Sequence, residues 1–203
     1  YKNESPPLSA LVVDRAKVDG RTVENPALWA ARAFRKALVH AGISVGGKAA
    51  RGSAPVGSAT LAAVRSRVMT AIVRRMNKIS DNFFAEMLVK HLGAVIRGVG
   101  TTRAGCIVIR RELAARGVPL AGVRIVDGSG LSRYDRATAS ALSQLLVSAW
   151  RDPAARMPFV SSLPIAGVDG TLKERMRTGP ARGRVRAKTG TTSRASALAG
   201  FVR

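Results

Sequence analysis

The chain has 203 residues, and 46% of them are apolar, which permits one domain or at most one and a half with a buried core and argues against disorder. Lys and Arg number 34 against 12 Asp and Glu, and the net charge of +22 is spread as about +10 up to Gly100 and about +12 after it. This spread excludes a single polybasic tail and predicts affinity for anions, among them nucleic acid, anionic lipid and acidic polymers.

The short apolar runs, the single cysteine and the two histidines argue against membrane spans, disulfides, Cys-based zinc sites and histidine catalysis. The apolar runs are short and broken by Arg or Gly, so no segment is expected to span a bilayer, and Tyr1–Ala10 lacks the basic-then-apolar pattern of a signal peptide. The single cysteine, Cys106, forms no internal disulfide and no Cys-based zinc site, and its apolar neighbours predict a buried thiol. His40 and His91 are predicted at separate helix ends and are not expected to be catalytic.

The first part of the chain predicts one helix between two short strands. Leu8–Asp14 is interpreted as a strand from its apolar run. Asn25-Pro26 is a typical helix start, with Asn as N-cap and Pro in the first helical position, and Gly42 is predicted to end this helix. Ile43–Lys48 is the second predicted strand, and a loop rich in Gly, Ser and Pro follows at Arg51–Ala59.

The middle of the chain predicts three helices. The first covers Val68–Lys78, and the second follows at once and is expected to end at Gly93. Ser80-Asp81-Asn82 lies between them, and these residue types favour caps and turns over helix interiors. We therefore expect a tight connection between two packed helices. A third helix covers Thr102–Arg116, and Gly117 stops it.

Beyond these helices the sequence predicts a strand, a loop and another helix. Val123–Val126 is interpreted as a strand, and the turn-rich Asp127–Ser132 follows it as a loop. Asp127 and Ser129 have no His or Lys beside them in sequence, so a structural role is favoured over a nucleophilic one. Thr138 is predicted to cap the helix that comes next.

The last predicted element is a hairpin. Its strands are Gly183–Thr189 and Ala195–Val202, and Gly190–Arg194 joins them. Helices and hairpins are mixed without a strict strand–helix–strand alternation, which predicts an α+β fold with an antiparallel sheet flanked by helices. The last strand reaches Arg203 with no turn or cap after it, so we expect a chain that is cut.

Two short motifs carry possible chemistry. Ser80-Asp81-Asn82 alone is most often an ordinary helix cap, and Lys188-Thr189-Gly190 alone is most often a strand that enters a hairpin turn. Together, about 105 residues apart and in these contexts, they match two of the three signatures of the active-site serine penicillin-binding enzymes. Those signatures are a Ser-x-Asn between helices and a Lys-Thr-Gly on an edge strand.

Longer segments extend the resemblance. They are VDGSGLSR at Val126–Arg133, LPIAGVDGTL at Leu163–Leu172, RAKTGT at Arg186–Thr191 and, more loosely, Pro26–Gly46. With these segments the chain resembles the D-alanyl-D-alanine carboxypeptidase/endopeptidase family, of the penicillin-binding protein 4 type, over nearly its whole length. The resemblance implies a fold like that of the serine β-lactamases and DD-peptidases.

The resemblance also implies roles for the Ser-x-Asn motif. Ser80 would relay a proton between the nucleophile, a lysine and the leaving amine. Asn82 would hold the backbone amide of the substrate. Asp81 would brace the turn and lie outside the reaction.

The Lys-Thr-Gly motif would bind the substrate, a peptide that ends in D-Ala-D-Ala. A terminal carboxylate calls for a cation and hydroxyl donors, which Lys188 and either Thr189 or Thr191 supply. Gly190 would let the strand backbone approach the substrate closely. By resemblance, the backbone N–H of Thr191 would be one donor of the oxyanion hole.

The third signature, Ser-x-x-Lys, is missing from the 203 residues. It would hold the nucleophile and its lysine base one helical turn apart, whereas Ser44 and Lys48 are four apart in a Gly-rich segment that does not look helical. In the family this motif lies upstream, near the mature N-terminus, with extra domains inserted before the Ser-x-Asn. We therefore expect residues 1–203 to be the C-terminal part of a penicillin-binding domain, incomplete and inactive alone.

The resemblance implies a serine-type D-Ala-D-Ala carboxypeptidase/endopeptidase that acts on peptidoglycan stem peptides through an acyl-enzyme, outside the cytoplasmic membrane. Acyl transfer to serine needs no metal and no organic cofactor, and β-lactam antibiotics would acylate the complete protein. Two rivals stay open: a basic module that binds an anionic polymer, and a catalytically dead wall-binding relative. An aromatic content of 4% and the lack of a nucleic-acid motif disfavour nucleic acid as a partner.

Overall fold

The structure, a computed structural model, describes residues 7–203, so the first six residues of the segment examined for a signal peptide lie outside the described residues. Two compact units make up the chain: the first ends at Ser66, and the second is Arg67–Arg203. Both motifs singled out by the sequence lie in the second unit.

The first unit begins with a small antiparallel hairpin. Its strands are β1, Lys17–Val18, and β2, Arg21–Thr22. Asp19-Gly20 forms the turn, and the φ angles of 47° and 76° are the left-handed pair that a two-residue type I′ turn requires. The predicted strand at Leu8–Asp14 is wrong. The chain instead bends in a short 3-10 turn at Asp14–Ala16, and within residues 7–203 the apolar run before this turn pairs with no strand.

The first helix, α1, spans Pro26–His40 and begins as predicted. The side-chain oxygen of Asn25 accepts a hydrogen bond from the backbone N–H of Leu28 at 3.1 Å. Gly42 follows the last turn with a φ of 81°, a conformation that glycine adopts without strain, and confirms the predicted end of the helix.

The segment after α1 is held by a side chain. The guanidinium group of Arg35 donates hydrogen bonds to the carbonyl oxygens of Val45 at 3.1 Å and Gly47 at 3.2 Å. The predicted strand at Ile43–Lys48 is therefore wrong, because these carbonyl groups bind α1 and not a second strand. The predicted loop at Arg51–Ala59 is confirmed.

Five α-helices lie in the second unit. They are α2, Met69–Ile79; α3, Asn82–Arg97; α4, Thr102–Ala115; α5, Ala139–Arg151; and α6, Pro153–Ser162. The predicted bounds of α2 and α4 are confirmed to within one residue. The predicted cap of α5 is also confirmed, because Thr138 accepts a hydrogen bond from the backbone N–H of Ala141 at 3.1 Å. The sequence analysis missed α6, although Asp152-Pro153 repeats the N-cap and proline signal that opens α1.

The third helix, α3, continues four residues beyond its predicted end at Gly93. Gly93 lies where α3 crosses α4: a Cβ atom there would be 2.6 Å from the carbonyl oxygen of Val99 and 2.9 Å from the backbone nitrogen of Gly105. A Cβ atom on Gly105 would overlap the carbonyl group of Val89, so both glycines let the two helix backbones approach closely. Gly98, with a φ of 69°, ends the helix instead. Within residues 7–203 no single helix is long and apolar enough to cross a membrane, and α3 and α4 meet that test only together, as a pair bent by 78°.

The C-terminal hairpin is confirmed, with a shorter loop than predicted. Its strands are β3, Val185–Thr191, and β4, Ser196–Val202, and they pair in antiparallel register. Gly190 and Thr191, which the prediction assigns to the loop or its edge, belong to β3 and pair with β4.

The other edge of β3 is paired over only part of its length. The backbone N–H of Ala187 donates to the carbonyl oxygen of Pro164 at 3.0 Å, and Ile165 forms an antiparallel bridge with Arg186. In the described part of the chain, no backbone pairing continues along this edge beyond Ala187. The edge is therefore open where the Lys-Thr-Gly motif lies.

The predicted strand at Val123–Val126 is wrong, because only Arg124 pairs, in a single bridge with Arg136. The backbone N–H of Val126 donates to the carboxylate of Asp135 at 2.7 Å, so a side chain takes the hydrogen bond that would extend a ladder.

The core of the second unit lies between α2, α6 and β3. Its largest fully buried side chains are Val160, Ser162, Leu163, Pro164 and Leu172. The ring centroid of Phe201 in β4 lies 5.4 Å from that of Trp150 in α5 and 6.4 Å from that of Phe159 in α6. Helices packed on an antiparallel hairpin confirm the predicted α+β class.

Candidate active site

Ser80 lies in a two-residue junction between α2 and α3, as the sequence predicts. It has left-handed backbone angles, with φ of 55° and ψ of 53°, and its side chain stands outside both helices. The next backbone N–H, of Asp81, donates to the carbonyl oxygen of Met76 at 2.9 Å, and the Asp81 carboxylate accepts from the backbone N–H of Phe84 at 3.2 Å. Asp81 thus ends one helix and caps the next, which is consistent with its predicted bracing role.

Lys188 reaches Ser80 across the unit. Its ammonium donates to the Ser80 hydroxyl oxygen at 2.7 Å and to the carbonyl oxygen of Thr189 at 2.6 Å. The predicted strand end at Thr189 is wrong, because β3 continues to Thr191. Burial lowers the pKa of the Lys188 ammonium below its ordinary value.

This contact can move protons. Because the Ser80 oxygen accepts from an ammonium, its own proton is free to pass to another acceptor, and the charged donor makes the hydroxyl a better acid. From sequence neighbours alone, Ser80 has no lysine in reach, since Lys78 lies two residues away on a helix. Lys188 comes into reach only through the fold.

Asn82 is the first residue of α3 and is half-buried. Its side-chain amide makes no hydrogen bond to any of residues 7–203. The amide is therefore available to a molecule that binds beside Ser80.

The threonines and the glycine of the second motif lie along the open edge of β3. The hydroxyl oxygens of Thr189 and Thr171 are 2.7 Å apart, while Thr191 is exposed. A Cβ atom on Gly190 would lie 3.7 Å from that of Ala197, an ordinary contact, so packing within the chain does not require a glycine. Because Gly190 has no side chain, it leaves space beside β3.

The sequence analysis missed a polar cluster next to these residues. The Lys78 ammonium donates to both carboxylate oxygens of Asp169, at 2.7 and 2.6 Å, and to the carbonyl oxygen of Leu163 at 2.6 Å. One residue earlier, the buried side-chain amide of Asn77 donates to the hydroxyl of Ser162 at 2.7 Å. Leu163 and Asp169 of this cluster belong to the LPIAGVDGTL segment, which the sequence analysis used only for its resemblance to a family and not to predict these contacts.

The loop at Asp127–Ser132 is fixed to α3. The buried carboxylate of Glu86 accepts from the backbone N–H groups of Gly128 at 2.8 Å and Ser129 at 2.9 Å. Burial and the neighbouring Asp127 raise the pKa of Asp135, which binds the start of this loop, to about 6. These bonds are consistent with the structural role favoured for the loop.

The single cysteine and the two histidines lie apart from Ser80 and Lys188 in sequence. Cys106 is buried as predicted, and burial raises the pKa of its thiol. His40 ends α1 as predicted, whereas His91 is wrongly predicted at a helix end and lies inside α3.

The chain is similar in sequence to known proteins. Residues 11–203 match the family described as D-Ala-D-Ala carboxypeptidase 3 (S13). The chain is 41% identical to the D-alanyl-D-alanine carboxypeptidase of Actinomadura sp. over 95% of this chain and 37% of that protein. It is 32% identical to the carboxypeptidase DacB of Mycolicibacterium smegmatis over 97% of this chain and 44% of that protein. The chain thus spans about two fifths of the length of these curated relatives.

Solved structures share the fold. The crystal structure of penicillin binding protein 4 (dacB) from Haemophilus influenzae matches with a TM-score of 0.81 and 29% identity, over 89% of this chain and 40% of that one. The same protein complexed with a novel β-lactam matches with a TM-score of 0.79 and 28% identity, over 89% and 42% of the two chains. This likeness confirms the predicted DD-peptidase-like fold.

Proposed function

Because the chain belongs to the D-Ala-D-Ala carboxypeptidase 3 (S13) family, as its motifs predicted, we propose that it forms part of a serine-type D-Ala-D-Ala carboxypeptidase/endopeptidase of the bacterial cell wall. One observation carries this proposal: the Ser80 hydroxyl and the Lys188 ammonium, 108 residues apart in sequence, lie 2.7 Å apart. A serine that can pass on a proton, beside a partly buried cation and an open strand edge, suits acyl transfer from a peptide.

In this proposal β3 binds the substrate. An extended peptide lies along the open edge beyond Ala187, where Gly190 leaves room for its backbone. The Lys188 ammonium attracts the terminal carboxylate, and the hydroxyl of Thr189 or Thr191 donates to it. The backbone N–H of Thr191 stabilises the oxyanion that forms on the attacked carbonyl group.

Ser80 completes the proton path. A nucleophilic serine attacks the penultimate carbonyl carbon, its proton passes to a lysine base and through Ser80 to the departing nitrogen, and terminal D-Ala leaves as an amine. Water then cleaves the ester and regenerates the serine. Asn82 holds the substrate's backbone amide in line with this path. Proton transfers and two acyl transfers, first to serine and then to water, complete the cycle, so no metal or organic cofactor takes part.

We assign the nucleophile and its lysine base to sequence outside these 203 residues, in the N-terminal part of the same domain. No serine in the chain is followed three places later by lysine, and the two relatives described above are more than twice as long as the region that they share with it. In this proposal residues 1–203 are the C-terminal part of the penicillin-binding domain.

The proposed substrates are peptidoglycan stem peptides, and β-lactam antibiotics are the proposed covalent inhibitors. The β-lactam bound in the Haemophilus influenzae structure supports the second assignment. Peptidoglycan lies outside the cytoplasmic membrane, so we propose a periplasmic or cell-wall location. Nucleic acid has no part in this function.

We expect benzylpenicillin to form a stable covalent adduct with the complete protein and none with the 203-residue chain alone. Lys188 donates to Ser80, so it serves as a hydrogen-bond donor there and not as a base, while Lys78 is held by Asp169. Neither lysine near Ser80 is then a free base for a nucleophile. Intact-mass spectrometry after incubation with benzylpenicillin measures the adduct directly.

The two samples of that experiment answer different questions. An adduct on the isolated chain that disappears in Ser80→Ala would show that Ser80 is itself a nucleophile and would contradict its relay role. No adduct on the complete protein would contradict the proposed function and favour a catalytically dead relative. Circular dichroism of both samples before incubation verifies that each is folded.

We expect binding to isolated cell-wall material to weaken as the salt concentration rises. The net charge of +22 is spread over the whole chain, and exposed charges are screened beyond about 8 Å at physiological salt. Cosedimentation with purified wall material across a sodium chloride series measures the effect. Binding that does not change with salt would contradict an electrostatic attraction, and strong wall binding by a complete protein without acylation would favour the basic binding module.

A further inference from the structure

We propose that the ion pair between Lys78 and Asp169 is a positioning element that holds Ser80 and Lys188 in contact. This inference rests on the proposed function, since it concerns the geometry of the same site. It assigns both residues a role through Ser80 and Lys188, without contact to the substrate.

Every donor of Lys78 is used. Its side chain is 12% exposed, and an ammonium group has three N–H donors. They meet the two carboxylate oxygens of Asp169 and the carbonyl oxygen of Leu163, all within 2.7 Å. An exposed lysine on a helix surface has no such fixed set of partners, so the last turn of α2 is tied firmly to the segment that contains Leu163 and Asp169.

That segment lies directly against the end of α2. The Asp169 carboxylate also accepts from the backbone N–H of Ile165 at 2.8 Å, which fixes the carboxylate within its own turn. A Cβ atom on Gly170 would be 2.5 Å from the carbonyl oxygen of Lys78, so the two backbones touch. The ion pair therefore joins surfaces that are already closely packed.

The same segment also holds β3. The hydroxyls of Thr171 and Thr189 are 2.7 Å apart, and the backbone N–H of Ala187 donates to the carbonyl oxygen of Pro164. Thr189 and Ala187 are the two chain neighbours of Lys188. One short segment therefore binds α2 two residues before Ser80 and binds β3 on both sides of Lys188.

The position of Ser80 relative to Lys188 follows from these contacts. Ser80 belongs to the end of α2 and Lys188 to β3, and the segment at 163–172 is bonded to both. If the ion pair is removed, the end of α2 loses its charged attachment to that segment. The contact of 2.7 Å between Ser80 and Lys188 then loosens, and the partly buried Lys188 ammonium becomes more exposed to water.

The test uses Lys78→Met and Asp169→Asn in the complete protein, with the rate of acylation by a D-Ala-D-Ala peptide as the readout. We expect the acylation rate constant to fall about 10- to 100-fold in each variant, the range for a displaced reacting group, with KM changed less than about twofold. The double variant is expected to lose no more than either single variant, because both remove one interaction. Lys78→Arg keeps a cation and is expected to restore part of the rate.

The pH profile separates positioning from stability. Burial lowers the pKa of Lys188, and the proposed reaction needs its ammonium form, so activity falls as pH rises through that pKa. Once water reaches the ammonium, its pKa rises towards the ordinary value, and the basic limb of the profile moves to higher pH. A loss of folded protein would lower the rate without moving this limb.

Arg116→Met is the matched control, because Arg116 at the end of α4 forms an ion pair with Asp152, between α5 and α6, at 3.1 Å. Neither residue belongs to α2, to β3 or to the segment at 163–172. We expect this variant to leave the acylation rate and the basic limb unchanged. Wild-type rates and an unmoved limb in Lys78→Met and Asp169→Asn would overturn the inference, and so would failure of both variants to fold. Absence of acylation in the wild-type protein would instead contradict the proposed function.

Discussion

Replacement of Lys188 by alanine is expected to lower kcat/KM of the complete protein for a D-Ala-D-Ala peptide by about 30-fold to about 4,000-fold. That range corresponds to about 2 to 5 kcal/mol, the usual cost of removing one partner of a desolvated charge pair. The variant loses the cation proposed for the substrate carboxylate and also the donor that contacts Ser80 at 2.7 Å. Steady-state kinetics with the peptide and the rate of benzylpenicillin acylation measure both losses.

Lys173→Ala is the control for that variant. Lys173 is exposed and follows the buried Leu172, so it carries the same charge on a neighbouring surface. We expect its kcat/KM to stay within about twofold of the wild type, since exposed charges interact weakly. Unchanged kcat/KM in Lys188→Ala would refute the assigned role of Lys188, and an equal loss in Lys173→Ala would point to overall charge as the cause.

Replacement of Gly105 by alanine is expected to lower the free energy of unfolding by about 3 kcal/mol or more. Helix propensity predicts the opposite sign, because alanine is favoured over glycine by about 1 kcal/mol inside a helix. The Cβ atom of the variant would overlap the Val89 carbonyl group in α3, and a helix backbone cannot move aside as a flexible side chain can. Denaturant unfolding followed by circular dichroism measures the change and its sign.

Gly100→Ala is the control in the same helix pair. A Cβ atom on Gly100 would lie 3.6 Å from that of Ala94, an ordinary van der Waals contact. We expect its stability to lie within about 0.5 kcal/mol of the wild type, as for most substitutions that create no clash. If Gly105→Ala were more stable than the wild type, propensity would outweigh packing and the close crossing of α3 and α4 would be wrong.

Elements with local signals could be predicted from the sequence. Asn25 and Thr138 each accept a capping hydrogen bond from a backbone N–H three residues later, an interaction written into adjacent positions. The junction at Ser80-Asp81-Asn82 is local in the same way. These signals fixed the helix starts, and the strongest short motifs led to the family.

Elements that depend on distant partners could not be predicted in this way. Arg35 and Asp135 each bind backbone groups that a strand would otherwise use, and nothing in the apolar pattern of those segments reveals it. Gly93 was predicted to end a helix because glycine often does so. Its actual role is to pack against Gly105, twelve residues later, which the local pattern does not reveal. Propensity and periodicity describe one segment at a time, whereas these outcomes are decided between segments.

The candidate site also has some features that are local in sequence and others that depend on distant residues. From the sequence, Ser80, Asn82 and Lys188 could be proposed as site residues because they belong to two motifs that resemble those of a known family. The sequence did not predict the contact between Ser80 and Lys188, nor the ion pair of Lys78 with Asp169, since these join residues 108 and 91 positions apart. Their roles in catalysis stay predictions until the variants are measured.

The left-handed backbone of Ser80 has a consequence for the evolution of the site. A residue with a Cβ atom loses about 1 to 2 kcal/mol in that conformation, and glycine would avoid the loss. Glycine has no hydroxyl, however, so the chain keeps a less stable residue at the junction where the proposed proton path passes. Selection for activity and selection for stability therefore oppose each other at this position, as they often do where a strained backbone carries a reacting group.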